Sequence, residues 1–194
     1  MSKSKIIATS AVSASLVAIS LTLGAYVSLL DVFSVVIASF FVILPLYVGS
    51  FKGCFLSYFV GGIIALVISG FNFFSIVFPS YFLYFGIYPI IRLIVVKKKG
   101  NDEYCEKESK RQIRKILIAV LGAVWTVAVF YGIYYYYTAV MNLPINDLPE
   151  FVANNVSWLI AVVGLIFYFV FDRFVIVSKN FYENYLDRII KKKS

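Results

Sequence analysis

The sequence predicts an all-α membrane protein whose six transmembrane helices form one bundle, with both termini on the cytoplasmic side. The 194 residues are 61% hydrophobic and only 14% charged, with a mean hydropathy of +0.89. Apolar runs follow one another along the chain, and a soluble domain of this size cannot bury so much apolar surface. Basic residues fall on alternate connections between these runs, as the positive-inside rule requires.

The predicted spans follow from length. A helix crosses the hydrocarbon core of a bilayer, roughly 30 Å thick, with about 20 residues. Six segments come within a few residues of this length: Ile6–Leu30, Val32–Val48, Cys54–Gly70, Phe73–Val96, Ile116–Tyr137 and Val156–Val177. Lys3 and Lys5 before the first run are also typical of a signal peptide, but an apolar run that reaches Leu30 is too long for one. We therefore interpret this run as the first span.

The charged connections predict the orientation. With the N-terminus inside, the cytoplasmic segments are 1–5, 49–53, 97–115 and 178–194, and together they hold every Lys and Arg outside the spans. The three outer turns contain only acidic residues among their charged groups: Asp31, Asp147 and Glu150. A five-span arrangement would place either the 97–115 cluster or the basic tail outside, against the positive-inside rule.

The sequence divides into a six-helix transmembrane domain, residues 1–177, and a cytoplasmic amphipathic tail, residues 178–194. Apolar tail residues share one helical stripe: Phe181, Tyr182, Tyr185, Leu186, Ile189 and Ile190. We expect this tail helix to lie on the inner leaflet. Lys191–Lys193 would then contact anionic lipid.

The fourth span contains a proline and a charge. Pro89 has no N–H group, so it releases the backbone carbonyl one turn earlier, near Phe85, and favours a kink. Arg92 lies near the cytoplasmic end of this span, at about the same depth as Asp172, the only carboxylate inside a predicted span. Two interpretations remain open: an intramembrane ion pair between Arg92 and Asp172, or independent snorkelling of Arg92 to the headgroups.

Small residues form two predicted ridges. On the third span they recur at every fourth position: Gly49, Gly53, Ser57, Gly61, Ala65 and Ser69. On the first span the ridge comprises Ser10, Ala14, Ala18 and Thr22, with Ala11 and Ser15 beside it. Such ridges let helices approach closely in lipid. The ridge of the first span is interpreted either as internal packing or as a docking edge for a separate membrane subunit.

Polar and aromatic residues gather at the predicted outer mouth. The candidate contacts for a small solute are Asn72, Tyr81, Asn142, Asp147, Asn155 and Trp158. Trp158 is equally typical of the aromatic belt at a membrane interface. The chain has no histidine, the commonest general base, and we expect no enzyme activity, no catalytic residue, no metal and no cofactor. No glycine-rich phosphate loop is present, and we expect no nucleic-acid partner.

Three sequence features resemble the substrate-binding (S) components of energy-coupling factor transporters, and most closely a Firmicutes membrane family usually grouped with them. They are Asp31 with the Ala38-Ser39 stretch, the segment Phe85–Arg92 with sequence FGIYPIIR, and the segment Tyr168–Val175 with sequence YFVFDRFV before the basic tail. The resemblance covers most of the chain. It departs from the vitamin-binding members, which commonly have a longer loop after the first helix and an acidic residue along the third.

The resemblance implies uptake of a small solute from outside a bacterial cell through the plasma membrane. It also implies two partners, a transmembrane coupling subunit and paired ATPases. In S components an Ala-x-x-x-Ala pattern on the first helix docks the coupling subunit, and Ala14 and Ala18 match that pattern. The alternative is a non-transport scaffold of the cell envelope, similar to the rod-shape membrane proteins with a comparable six-span layout.

Overall fold

A computed structural model describes residues 3–72, 75–101, 108–139 and 150–191, and within them it contains helices and turns but no strand. The α-helices are α1 (Lys3–Tyr26), α2 (Asp31–Val42), α3 (Phe51–Ile68), α4 (Val77–Ser80), α5 (Ile87–Asn101), α6 (Glu108–Ala139) and α7 (Glu150–Lys191). Short 3₁₀-helices occur at Ser28–Leu30 and Leu44–Val48, and a π-helical turn at Tyr81–Phe85 joins α4 to α5.

Five of the described helical segments are long and apolar enough to cross a membrane, which indicates a multi-pass membrane protein. They are Lys3–Tyr26, Phe51–Ile68, Val77–Ile94, Ile116–Tyr136 and Asn154–Tyr182. Each coincides with one of the six predicted spans, with ends displaced by a few residues. The prediction of an all-helical membrane protein is therefore confirmed at this coarser level.

The remaining predicted span, Val32–Val48, is not one long α-helix. α2 has 12 residues, or about 18 Å at 1.5 Å per residue, which is shorter than the hydrocarbon core. The chain then continues as the 3₁₀-helix Leu44–Val48, with Pro45 at its start. Pro45 cannot donate a hydrogen bond to Phe41, so the α-helical ladder ends before it.

Both ends of α3 are capped by hydrogen bonds to backbone groups that the helix itself leaves without a partner. Ser50 has an extended backbone, and its hydroxyl oxygen accepts a hydrogen bond from the Gly53 N–H at 3.0 Å. At the other end, Gly70 takes a left-handed conformation with φ of 68°. The N–H groups of Gly70 and Phe71 then donate to the carbonyls of Val67 and Leu66, which is a Schellman cap.

The charged regions are more helical than the sequence analysis predicted. α5 extends to Asn101 and α6 begins at Glu108, so helix covers most of the predicted 97–115 connection. α7 runs without a break from Glu150 to Lys191. The predicted tail therefore begins inside a continuous helix, because no glycine or proline follows Val177 to end it.

The chain forms two compact units. The first comprises residues 1–97 and 174–194, and the second comprises residues 98–173. In the first unit α1 packs against both α2 and α3. The buried face of α1 is rich in small residues: Ser10, Ser13, Ala14, Val17, Ala18, Ser20, Leu21 and Gly24.

The ridge on α3 is where α1 and α3 approach each other. A Cβ atom at Gly61 would lie 2.7 Å from Cγ1 of Val17 and 2.9 Å from the carbonyl oxygen of Ala14. The Ser57 hydroxyl donates to the Ser10 carbonyl of α1 at 3.0 Å, besides the Gly53 carbonyl of its own helix at 2.9 Å. The small side chains thus allow a backbone-to-backbone approach that larger ones would prevent.

The second unit contains the helical pair formed by α6 and the part of α7 before residue 174. A Cβ at Gly122 would lie 2.7 Å from Cε2 of Tyr168, so the tyrosine ring lies against the bare backbone of α6. At another level of the pair, the Tyr131 hydroxyl donates to the Ser157 carbonyl at 2.6 Å. Ring contacts between Phe130 and Phe167 extend the same interface.

The end of α7 belongs to the first unit, where it packs on α2. The Tyr182 ring stacks on Phe40 with centroids 4.7 Å apart, and its hydroxyl donates to the Phe40 carbonyl at 3.1 Å. Phe174 and Phe181 also contact the Phe40 ring. Tyr182 therefore contacts the helical bundle, whereas its position on the apolar stripe of the tail had predicted that it faces lipid.

Candidate functional site

The irregular region between α4 and α5 is the candidate functional site, because proline, a π turn and buried hydroxyl groups meet there. Pro89 has no N–H group to offer the carbonyl of Phe85, four residues earlier. The Ser39 hydroxyl of α2 donates to this carbonyl at 2.6 Å and also lies 2.8 Å from the Val35 carbonyl of its own helix. The prediction that Pro89 releases the carbonyl near Phe85 is thus confirmed, and the donor is Ser39.

The same arrangement occurs at the end of α2. Pro45 cannot donate to the Phe41 carbonyl, four residues earlier. The Ser13 hydroxyl of α1 donates to that carbonyl at 2.7 Å, and Ser13 is completely buried. In both places a serine on one helix hydrogen-bonds the carbonyl four residues before a proline on its neighbour, and the Phe41 carbonyl also accepts from the Ile43 N–H.

The π turn releases a further carbonyl. The Gly86 N–H donates to the Tyr81 carbonyl, five residues earlier, at 2.9 Å. This bond uses the donor that the Phe82 carbonyl would have in a regular α-helix. The Tyr58 hydroxyl of α3 donates to the Phe82 carbonyl instead, at 2.8 Å.

Gly86 provides the space for this contact. A Cβ atom there would lie 2.5 Å from Cε2 of Tyr58 and 2.9 Å from Cζ of Tyr81. The bare backbone at Gly86 thus admits an aromatic ring of a neighbouring helix. The Tyr81 hydroxyl in turn donates to the Tyr58 carbonyl at 3.2 Å, and the two rings lie 5.4 Å apart.

This chemistry is structural. The hydroxyls of Ser13, Ser39, Tyr58 and Tyr81 donate to backbone carbonyls, and such bonds stabilise irregular backbone that lipid cannot hydrate. The role of Ser13, Ser39 and Tyr58 as hydrogen-bond donors was not predicted from the sequence, although Ser39 belongs to the Ala38-Ser39 stretch noted there. The signal was present, because each proline marks the carbonyl four residues before it, although the sequence alone does not show which helix faces that carbonyl. No group of three or more Cys, Asp or Glu side chains suited to a metal occurs among the described residues.

The predicted solute contacts differ in their environment. Tyr81 has 0% of its surface exposed and uses its hydroxyl inside the bundle, so a solute cannot reach it in this structure. Asn72 is exposed in the connection that follows α3. Asn155 and Trp158 are exposed near the start of α7, Trp158 to 72%. Asn142 and Asp147 lie outside the described residues.

The predicted docking edge is internal. Ala14 and Ala18 have only 5% and 4% of their surfaces exposed. They face the other helices of the first unit, where Gly61 approaches the Ala14 carbonyl. They therefore do not form the exposed edge that docking requires. Their burial agrees with the other interpretation of this ridge, internal packing.

Two predicted contacts stay predictions. Arg92 belongs to the first unit and Asp172 to the second, and the ion pair between them is tested by experiment below. The lipid contact of Lys191–Lys193 concerns side chains outside those that the structure describes.

Comparison with known proteins identifies no relative: no family model, curated protein or solved structure matches this chain.

Proposed function

We propose that this chain is the solute-capturing membrane component of an uptake system, similar to an S component. In this proposal it lies in the bacterial plasma membrane with six spans and both termini in the cytoplasm. The observation that carries the proposal is an exposed face of small residues on α1, which we call the outer α1 face: Ser4, Ala8, Ala11 and Ser15. Small side chains exposed along a membrane helix allow close approach of a partner helix.

Burial of Ala14 and Ala18 counts against the docking edge that the resemblance implies, and the proposal uses the outer α1 face instead. Ala11 and Ser15 are four residues apart, so their side chains lie one above the other on the helix. The Ser15 hydroxyl donates to the Ala11 carbonyl at 3.0 Å, which satisfies that polar group within α1. A helix packing on this face would meet a small surface whose hydroxyl is already hydrogen-bonded.

The proposed partner is a membrane coupling subunit that carries paired ATPases. The sequence has no phosphate-binding loop of its own, so energy for uptake would come from a separate protein. The solute would enter from the outside, where exposed Asn72, Asn155 and Trp158 remain candidate contacts. Asn142 and Asp147 are further candidates from the sequence.

The orientation follows the positive-inside rule. Six crossings require the stretch of α2 and the 3₁₀-helix Leu44–Val48 to span the membrane together. Twelve α-helical and five 3₁₀ residues extend about 18 Å and about 10 Å respectively, which together approach the thickness of the hydrocarbon core.

Affinity purification from native membranes, followed by mass spectrometry, tests the proposal. The wild-type chain should retain a membrane subunit and two ATPases. Replacing both Ala11 and Ser15 with Leu should abolish this retention and leave the thermal stability of the chain within about 2 °C, because both positions are exposed. Replacing Ala14 and Ala18 with Leu is the matched control: it should lower the folding yield by overpacking the bundle.

A scaffold of the cell envelope is the second candidate. The observation that favours it is the use of Tyr58, Tyr81 and Ser39 hydroxyls on backbone carbonyls, which leaves these groups engaged in packing rather than facing a solute. The same purification separates the two functions. Retention of cell-envelope proteins without ATPases would overturn the uptake proposal and support the scaffold.

A further inference from the structure

The π turn at Tyr81–Phe85 has a property that the proposed uptake function does not use. A π turn holds one more residue than the α-helical turn that it replaces, and such turns often occur at functional sites. It is defined here by the bond from the Gly86 N–H to the Tyr81 carbonyl at 2.9 Å. In the α-helical register the same N–H would donate to Phe82 instead.

The Tyr58 hydroxyl favours only one of these two registers. In the π register the Phe82 carbonyl accepts from Tyr58 at 2.8 Å. In the α register that carbonyl would accept from Gly86. A carbonyl oxygen can accept two hydrogen bonds, so Tyr58 would lose this acceptor only through the rotation that a change of register imposes on the residues before the turn. A buried hydroxyl without an acceptor is unfavourable in an apolar interior. The hydroxyl and the register of the helix are therefore coupled.

The segment that a change of register would rotate is short. α4 has only four residues, and it follows an irregular stretch in which Gly70 and Phe71 have φ of 68° and 58°. Removing the extra residue of a π turn from the register rotates one side by about 100° relative to the other. Such a rotation would carry Val77 and Phe78, both buried against the bundle, to new positions.

We propose that the helix formed by α4, the π turn and α5 has two registers, and that the Tyr58 hydroxyl holds it in the π register. The device is a conformational switch in the first unit and does not depend on the proposed coupling partner. The rival explanation is that Pro89 alone forces the wide turn, because its ring crowds the Phe85 carbonyl. The two explanations differ in the result expected for Tyr58→Phe, which removes only the hydroxyl oxygen. The π register should weaken if Tyr58 holds it and should persist if Pro89 alone forces it.

Solid-state NMR in lipid bilayers reads the register directly. With [¹³C-carbonyl]tyrosine and [¹⁵N]glycine labels, Tyr81 and Gly86 are the only Tyr–Gly pair five residues apart. The Tyr84 carbonyl lies two residues before Gly86 and is close to its nitrogen in either register, so the diagnostic contact is the one to the separately resolved Tyr81 carbonyl. The Gly86 nitrogen is assigned with [¹³C-carbonyl]phenylalanine, since Phe85–Gly86 is the only Phe–Gly peptide bond. Wild type should show the Tyr81–Gly86 contact, and Tyr58→Phe should lose it in a measurable fraction of molecules.

The matched control is Tyr26→Phe, which removes a hydroxyl that donates to the Ile68 carbonyl at 3.1 Å elsewhere in the first unit. It should keep the Tyr81–Gly86 contact. A second variant, Gly86→Ala labelled with [¹⁵N]alanine, keeps the Tyr58 hydroxyl but displaces its ring, and it should also lose the contact. Retention of the contact in Tyr58→Phe overturns the proposal. If the contact is lost in Pro89→Ala but kept in Tyr58→Phe, the proline causes the π turn. If Tyr58→Phe does not fold, retention in Gly86→Ala overturns the proposal in the same way.

Discussion

Ser39 on α2 donates its hydroxyl proton to the carbonyl oxygen of Phe85 on the neighbouring helix, at 2.6 Å. This bond connects the effect of Pro89 on its own helix with the packing of that helix against α2. Pro89 withholds the usual backbone donor from Phe85, and Ser39, with 1% of its surface exposed, supplies one from outside the helix.

Ser39→Ala should therefore destabilise the protein by about 1–3 kcal/mol, because the Phe85 carbonyl loses this donor in an apolar interior. The free energy of unfolding in mixed micelles measures the effect. Ser15→Ala is the matched control: it removes an exposed serine hydroxyl that donates to its own helix, and it should change the stability by less than about 0.5 kcal/mol.

A double-mutant cycle tests the cause. Pro89→Ala restores an N–H group that is able to reach the Phe85 carbonyl, so Ser39→Ala should lose at least half of its effect in the Pro89→Ala background. An unchanged effect of Ser39→Ala in both backgrounds would show that the serine stabilises the bundle for another reason, such as packing.

The second proline predicts a parallel result on a different helix pair. Ser13→Ala removes the donor that α1 supplies to the Phe41 carbonyl at 2.7 Å, and it should also lower the free energy of unfolding by about 1–3 kcal/mol. Pro45→Ala should reduce this effect in the same kind of cycle. Additive effects of Ser13→Ala and Pro45→Ala would contradict the proposed coupling between the serine and the proline.

These sites mark the limit of prediction from the sequence. The rule that a proline releases the carbonyl four residues before it is local, so Pro89 pointed correctly to Phe85. The donor comes from another helix, and neither the position of Ser39 nor that of Tyr58 along the chain identifies the carbonyl that it meets. Pro45 is the same local signal within the predicted span Val32–Val48, and the α-helix of that segment ends at Val42, three residues before it.

The first span shows a different limit. Small residues occupy two adjacent faces of α1, and periodicity alone does not reveal which face the bundle buries. The structure buries Ala14 and Ala18 and exposes Ala11 and Ser15, so the docking interpretation had selected the internal face. For a related reason the burial of Tyr81 was not predicted, because an aromatic residue near a predicted helix end is equally consistent with an interface and with a core.

Two glycines should respond oppositely to the same substitution. Gly86→Ala places a methyl group 2.5 Å from Cε2 of Tyr58, and this overpacking should cost about 1–3 kcal/mol. Gly132→Ala meets nothing within 4 Å, and it should be neutral or stabilise α6 by up to about 1 kcal/mol through helix propensity. Thermal unfolding of both variants in the same detergent makes the comparison, and equal midpoints would contradict the close contact at Gly86.

Topology is tested with reporters inserted in two connections. A reporter after Lys99 should read as cytoplasmic and one after Asn142 as external, because this arrangement puts the basic connections on one side. An external reading after Lys99 would refute the orientation. Equal readings at both positions would show that the segment Ile116–Tyr136 does not cross the membrane, despite its length and hydropathy.

The ion pair predicted from the sequence is tested by coupling. Arg92 and Asp172 lie at similar depths in their predicted spans, and a pair near the interface would protect the carboxylate from an apolar environment. Asp172→Ala alone should then reduce the folding yield more than the double change with Arg92→Ala, because the single change leaves a guanidinium without its counter-charge. The free energies of unfolding should give a coupling of about 1 kcal/mol or more.

Arg173 provides the matched control for that cycle. It is adjacent to Asp172 in the sequence, and neighbouring side chains on a helix do not face each other. The cycle of Asp172→Ala with Arg173→Ala should therefore give a coupling below about 0.5 kcal/mol, since independent sites add. Similar small couplings in both cycles would mean that Arg92 extends to the headgroups by itself, which was the other interpretation of its position. A larger coupling to Arg173 than to Arg92 would show that Asp172 interacts with a residue of its own helix, and it would refute the Arg92–Asp172 ion pair.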